Sequence, residues 1–269
     1  MNTSMSDYIV VGSRGLHCYV AGSGNKVLLA FHGYGLDATT FFPLIEHLAD
    51  SYTIVSVDIP HHGLSDWDTT KFDKELLVLF IQTIIKKYNV TKVSLAGYSL
   101  GGRICLTITE LLPDAIDKLV LIAPDGLKKN PFYGFATANS IGKILFNTVI
   151  KNPTGFIRLA DLFHKLKIID ASRHKFVTQY LRTQESRDFL CNVWNTLSEI
   201  VPNLENVKKV IRDYKIPVII FMGRFDRIIP PANANKIKKY SDNVQIHILP
   251  KGHRVLDNTN ANIIAQSLL

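Results

Sequence analysis

One stretch constrains this chain more than any other: Leu95-Ala96-Gly97-Tyr98-Ser99-Leu100-Gly101-Gly102-Arg103. Val93 and Leu95 with their neighbours read as a short apolar strand. Ile104 to Leu112 is apolar and helix-compatible, and it stops at Pro113. A serine in G-x-S-x-G between such a strand and helix fits a nucleophile elbow. The turn is so sharp that only glycine fits two residues to either side, and the serine oxygen is lifted clear of the sheet. The helix after Ser99 points its free backbone N–H groups at negative charge developing there. Taken alone, the pentapeptide is weak evidence, because glycine and serine are common, so the rest of the chain has to decide.

Upstream, the strand pattern Lys26 to Phe31 runs into His32-Gly33-Tyr34-Gly35. A glycine-rich turn after a strand can aim backbone N–H groups at an oxyanion. The expected donors are the N–H of Tyr34 and that of Leu100, the residue after the serine. His32 itself reads as structural, satisfied by backbone hydrogen bonds. A serine at its free pKa is a poor nucleophile and needs a base, which an acid orients. Ile216 to Met222 is a buried-type strand followed by a loop carrying Asp226. Val244 to Leu249 is another strand pattern, followed by Pro250-Lys251-Gly252-His253. Serine, aspartate and histidine thus fall in that order, each after a strand, where open α/β sheets place their sites. A rival acid is Asp125, in Leu121-Ile-Ala-Pro-Asp125-Gly126, which also reads as a plain turn.

Strand and helix patterns alternate through residue 122 and again from 216 onward, after an opening hairpin around Gly12-Ser13-Arg14-Gly15. Such alternation predicts an α/β chain with a mostly parallel sheet covered by helices on both faces. Residues 126–212 break the rhythm. They show no clear strand, only helix-period apolar spacing around Ile141–Val149, Phe156–Leu166 and Phe189–Ile200. The expected organisation is a core of 1–125 and 213–269 with a helical cap, or lid, at 126–212. Aromatic residues of that insertion, Phe132, Tyr133, Phe135, Phe146, Phe156, Phe163 and Trp194, are expected partly as glue and partly as lining of an apolar cleft.

The motifs HGYG at 32–35, Asp58-Ile-Pro-His-His-Gly-Leu-Ser65, GYSLGG at 97–102, GRFDRIIP at 223–230 and KGH at 251–253 together resemble the α/β-hydrolase fold family over nearly the whole chain. The resemblance implies Ser99 as nucleophile, His253 as general base and then acid, and Asp226 as its orienter. His61 departs from the related loop, which often has Gly or Arg there; His61 and His62 read as loop packing. Two adjacent histidines cannot present a metal site from a strand or helix, so no metal is expected, and no cofactor is required.

The net charge of +8 is unevenly spread: residues 126–212 hold 14 Lys and Arg against 6 Asp and Glu, and the rest balances. A basic surface can attract an acidic substrate, an anionic membrane or nucleic acid, or simply be solvated. No nucleic-acid motif or basic tail is visible, so nucleic acid is not expected as a partner. No apolar stretch approaches membrane-spanning length, and Met1 to Asp7 is polar, unlike a signal peptide. Three unclustered cysteines, Cys18, Cys105 and Cys191, read as free thiols of a cytoplasmic protein.

The leading expectation is a serine hydrolase of carboxylic esters or thioesters acting on a small molecule that is anionic or carries an apolar acyl group. An alternative is carbon–carbon bond lyase or hydrolase chemistry. The elbow GYSLGGR is similar to that of the menaquinone-pathway enzyme that eliminates pyruvate (SHCHC synthase), and implies Tyr98 and Arg103 as binding residues for an anionic substrate. A third class is a ligand receptor without turnover.

Overall fold

A computed structural model describes residues 4–169 and 171–269. The first three residues of the polar segment Met1–Asp7 lie outside the described residues. The chain opens with a hairpin of β1 (Met5–Val11) and β2 (Arg14–Ala21), paired in register from Met5 opposite Val20 to Val11 opposite Arg14. Its two-residue turn needs a left-handed residue, which Gly12 supplies at φ 62. There follow β3 (Lys26–Phe31), α1 (Phe42–Leu48), β4 (Tyr52–Val57), α2 (Lys74–Tyr88), β5 (Val93–Tyr98), α3 (Leu100–Leu111) and β6 (Ile116–Ile122). After a helical insertion come α9 (Leu204–Asp213), β7 (Val218–Gly223), α10 (Asn235–Lys238), β8 (Val244–Leu249) and α11 (Ala261–Gln266).

The eight strands make one sheet in the order β1-β2-β4-β3-β5-β6-β7-β8. β1 and β2 pair antiparallel, as do β2 and β4; every other neighbouring pair is parallel. A parallel strand covered on both faces must be apolar throughout, and β5 (Val-Ser-Leu-Ala-Gly-Tyr) and β7 (Val-Ile-Ile-Phe-Met-Gly) are buried at every position. Two helix starts are set by local hydrogen bonds. α2 starts at Lys74, because Asp73 accepts the Leu76 N–H as its N-cap at 2.9 Å. α11 starts only at Ala261, because the Asp257 carboxylate holds the N–H groups of Thr259 and Asn260 in a turn first.

Residues 129–198, which follow β6 and precede β7 in the chain, form a second compact unit together with residues 69–71 of the segment between β4 and α2. Among its described residues the regular elements are all helices: α4 (Pro131–Ala138), α5 (Ser140–Lys151), α6 (Thr154–Lys165), α7 (Ala171–Leu181) and α8 (Gln184–Thr196). Asn130, Asn139 and Thr183 cap α4, α5 and α8 through their side chains. Within the unit, Trp194 stacks on Phe146 with centroids 5.2 Å apart and meets Tyr133 edge-on at 5.1 Å. The Tyr133 hydroxyl donates to the Leu197 carbonyl at 3.0 Å. The unit ends at Ser198, short of the expected boundary at 212, and α9 groups with the sheet. The cause is Glu110 at the end of α3, which accepts the Asn203 N–H at 2.8 Å and the Asn206 side-chain amide at 3.0 Å. Val207 and Ile211 of α9 are fully buried there.

Candidate active site

β5 ends at Tyr98 and α3 begins at Leu100, leaving Ser99 alone to make the turn at φ 51, ψ −113. A non-glycine residue in this region is strained, and the neighbours hold it there. The Ser99 N–H donates to the Ile122 carbonyl at 3.0 Å, and its own carbonyl accepts from Gly102 (2.9 Å) and Asp125 (2.8 Å). The flanking glycines are sterically required. A Cβ on Gly97 would stand 2.6 Å from the Gly101 carbonyl oxygen, and one on Gly101 would stand 1.8 Å from that of Phe31.

The ends of β7 and β8 deliver the next two side chains. These ends come so close that a Cβ on Gly223 would sit 2.0 Å from the Gly252 carbonyl oxygen. Asp226 follows β7, and its carboxylate is buried; Oδ1 accepts the N–H groups of Ile228 (2.8 Å) and Ile229 (2.9 Å). Its Oδ2 lies 2.8 Å from His253 Nδ1, and His253 Nε2 lies 3.0 Å from Ser99 Oγ. A carboxylate can only accept here, so Nδ1 carries the proton and the Nε2 lone pair faces the serine hydroxyl. Tyr98 supports the same loop: its hydroxyl donates to the His253 carbonyl at 3.1 Å, and its ring lies 5.6 Å from the imidazole. Burial pushes the Tyr98 phenol up to about 12, so it stays a donor at neutral pH.

The turn after β3 also reaches the serine. A Cβ on Gly33 would come within 3.2 Å of Ser99 Cβ. Tyr34 lies between Gly33 and Gly35 in this turn, closed by the Leu36 N–H on the Gly33 carbonyl at 3.2 Å. Leu100, on the other side, is the first residue of α3, whose opening N–H groups have no partner within the helix. His32 is fully buried, with Nδ1–H on the Gly33 carbonyl (2.8 Å) and Nε2 accepting the Ile59 N–H (3.2 Å). Burial lowers its pKa and keeps it neutral.

Sequence reading missed the support beneath this turn. His62, read as loop packing, donates Nδ1–H to the Pro60 carbonyl (2.9 Å) and accepts the Gly35 N–H on Nε2 (3.1 Å), so it fixes the turn next to Tyr34. Burial, and the neighbouring His32, bring the His62 pKa down to about 3. Asp58, also buried, accepts from Ala38 N–H (2.6 Å), Leu64 N–H (2.9 Å) and His17 Nδ1 (2.7 Å). The signal was the run Asp58 to Gly63 at a strand end, with Gly63 lying so near that a Cβ would stand 2.0 Å from the Asp58 carboxylate.

Two residues expected to bind substrate have other work in the structure. Tyr98 is 5% exposed and tied to the His253 loop. Arg103 is 7% exposed, with its Nε 3.6 Å from the Asp125 carboxylate. Asp125 also accepts the Gly126 N–H at 2.7 Å, whereas Asp226 is the carboxylate on His253. Among the described residues no three His, Cys, Asp or Glu side chains are gathered as a metal site, and no helix is long and apolar enough to cross a membrane.

With this geometry in view, comparison with known proteins is direct. The alpha/beta hydrolase fold family matches residues 26–258, and the chain belongs to that family. An uncharacterised protein of Mycobacterium tuberculosis is 28% identical over 111 residues; the match spans 41% of this chain and 32% of that relative, so it is partial on both sides. The 2-(acetamidomethylene)succinate hydrolase of Mesorhizobium japonicum is 23% identical over 98% of this chain and 94% of its own. Among solved structures, the 2-hydroxy-6-oxo-6-phenylhexa-2,4-dienoate hydrolase of a Rhodococcus species superposes with a TM-score of 0.67 at 19% identity. That likeness covers 100% of this chain and 99% of the other.

Proposed function

We propose that this protein is a serine hydrolase cleaving a carboxylic ester or thioester of a small molecule through an acyl-enzyme. The observation that carries the reading is the row Ser99–His253–Asp226, with contacts of 3.0 and 2.8 Å. His253 Nε2 takes the Ser99 proton as Oγ bonds to the substrate carbonyl carbon, and the carbonyl oxygen becomes an oxyanion held by the Tyr34 and Leu100 N–H groups. Collapse expels the alcohol or thiol, which leaves with the proton from His253. Water then attacks the acyl-enzyme with His253 again as base, releasing the acid and restoring the Ser99 hydroxyl. Asp226 keeps the imidazole in the tautomer this needs. No step requires a cofactor.

The carbon–carbon alternative leans on Arg103 as an anchor for an anionic substrate, and the Arg103–Asp125 pair weakens that support. Cys18 and Cys105 are buried, Cys191 is half-buried, and none of the three is in a disulfide, which supports a reducing, cytoplasmic setting. Burial raises all three thiols, so none competes with Ser99 as a nucleophile.

The test is hydrolysis of p-nitrophenyl esters from acetate to octanoate. Turnover is expected in the native chain and a loss of about a million-fold in Ser99→Ala, as in comparable triads. Ser99→Ala activity near that of the native chain would refute the mechanism.

A further inference from the structure

A second row of serine, histidine and acid lies at the β1 edge of the sheet. The register of the hairpin sets Ser6 opposite Tyr19 and His17 opposite Tyr8, so Ser6 and His17 are diagonal neighbours on one face. Ser6 Oγ lies 2.8 Å from His17 Nε2. Across the imidazole, Nδ1 lies 2.7 Å from Asp58 Oδ2. β4 delivers that acid: its last residue, Val57, pairs with Cys18 of β2, and the Asp58 N–H donates to the His17 carbonyl at 2.9 Å. The corresponding contacts in the row of Ser99, His253 and Asp226 are 3.0 and 2.8 Å.

The imidazole is held on every side. Tyr8 and Tyr19 meet it edge-on, with centroids 5.1 and 4.7 Å away, and the His17 N–H donates to Ser65 Oγ at 2.8 Å. Asp58 already accepts the Ala38 and Leu64 N–H groups, so it is an acceptor towards His17 too. Nδ1 therefore carries the proton, and the Nε2 lone pair faces Ser6. His17 and Asp58 are buried, whereas Ser6 is exposed. A base kept dry, oriented by an acid and turned towards a hydroxyl that solvent reaches is the arrangement that makes serine a nucleophile. Ser6 lies inside a regular strand, which does not gather free N–H groups around its oxygen as an elbow does. Water must then carry the oxyanion, and that restricts the acyl donor to one with a good leaving group. β1 stands four strand spacings, roughly 19 Å, from β5, so Ser6 takes no part in a step at Ser99.

We propose that Ser6 is a second acyl-accepting serine, with His17 as its base and Asp58 as the orienter of that base, and that it takes the acyl group of an activated ester or thioester. His17 Nε2 takes the hydroxyl proton as Ser6 Oγ bonds to the acyl carbon. The bond from that carbon to the leaving oxygen or sulfur breaks, and the leaving group takes the proton from His17. The product is an ester on Ser6.

The experiment treats the full chain carrying Ser99→Ala with p-nitrophenyl acetate and reads p-nitrophenol release together with peptide mass mapping. Ser13, exposed in the turn of the same hairpin, is the internal reference. One acetyl group is expected on Ser6, added at least about 100-fold faster than at Ser13 and absent when Ser6→Ala is added to the same background. His17→Gln should slow the acetylation at least ~100-fold in a chain whose far-ultraviolet dichroism is native. Should that variant not fold, the pH profile of the Ser99→Ala chain decides. A rate that climbs as one group loses its proton and then levels off is expected; a rate that follows hydroxide without a plateau overturns the proposal. So does an unmodified Ser6, acetylation no faster than at Ser13, or a folded His17→Gln chain that reacts as its parent does. Ester turnover by the native chain is a separate readout, so failure here and failure of the hydrolase reading are told apart.

Discussion

Ser99 stores strain of about 1 to 3 kcal/mol in its backbone, and three hydrogen bonds hold it in place. Its hydroxyl is thereby displayed to His253 without a rotamer search. Beside it, His62 does quieter work, and its charge state has a measurable consequence. In the folded chain it remains neutral down to about pH 3, against an ordinary value of 6.5. Between those values the unfolded chain binds a proton that the folded chain refuses. The stability this histidine contributes is therefore complete above pH 6.5 and falls as pH drops, by up to ~1.4 kcal/mol per pH unit. His32, with its ring 5.0 Å away and its pKa also lowered by burial, acts in the same direction. Urea unfolding at pH 7 and pH 5 should show the fall, and His62→Gln should flatten it. The same substitution loosens the Gly35 N–H, so kcat on a p-nitrophenyl ester should drop about tenfold or more with little change in KM.

Between elements, the decisive contact is the approach of α3 to the end of β3. Gly101→Ala places a methyl group 1.8 Å from the Phe31 carbonyl oxygen, and backbone on both sides has no room to retreat. A loss of at least ~4 kcal/mol is expected, seen as a large drop in the urea midpoint. The strand ends also decide which carboxylate orients His253. Asp226→Asn should cut kcat by about 10⁴-fold, as a wrong tautomer does in other triads, while Asp125→Asn should cost far less. The reverse order would move the acid to Asp125. These elements were legible in the sequence because each announces itself locally: an apolar run for a buried strand, a turn motif at its end. Ser99, Asp226 and His253, which the structure brings within hydrogen-bond distance of one another, were singled out that way. For Tyr98 and Arg103, expected to bind substrate, a sequence shows the side chain's type but not its partner. Their partners, the His253 carbonyl and Asp125, exist only once strands are laid side by side. α4 was missed although Asn130 and Pro131 form a good helix start, because its eight residues are too few for an apolar period to emerge.

Across the whole molecule, distant parts of the chain are tied by a few polar contacts. The buried hydroxyl of Tyr52 in β4 donates to the Leu268 carbonyl at 2.8 Å, and Lys118 in β6 donates to Leu268 and Ser267. Tyr52→Phe keeps the ring and removes one donor, so a loss of ~1 kcal/mol and a fall of about 2 to 4 °C in Tm are expected by calorimetry. A second tie, the hydrogen bond between Ser99 and His253, spans 154 positions of sequence. On a ribosome adding 5 to 20 residues each second, those positions take roughly 8 to 30 s to be made. Under the proposed mechanism, the nascent chain carries its serine throughout that interval without the base that would activate it.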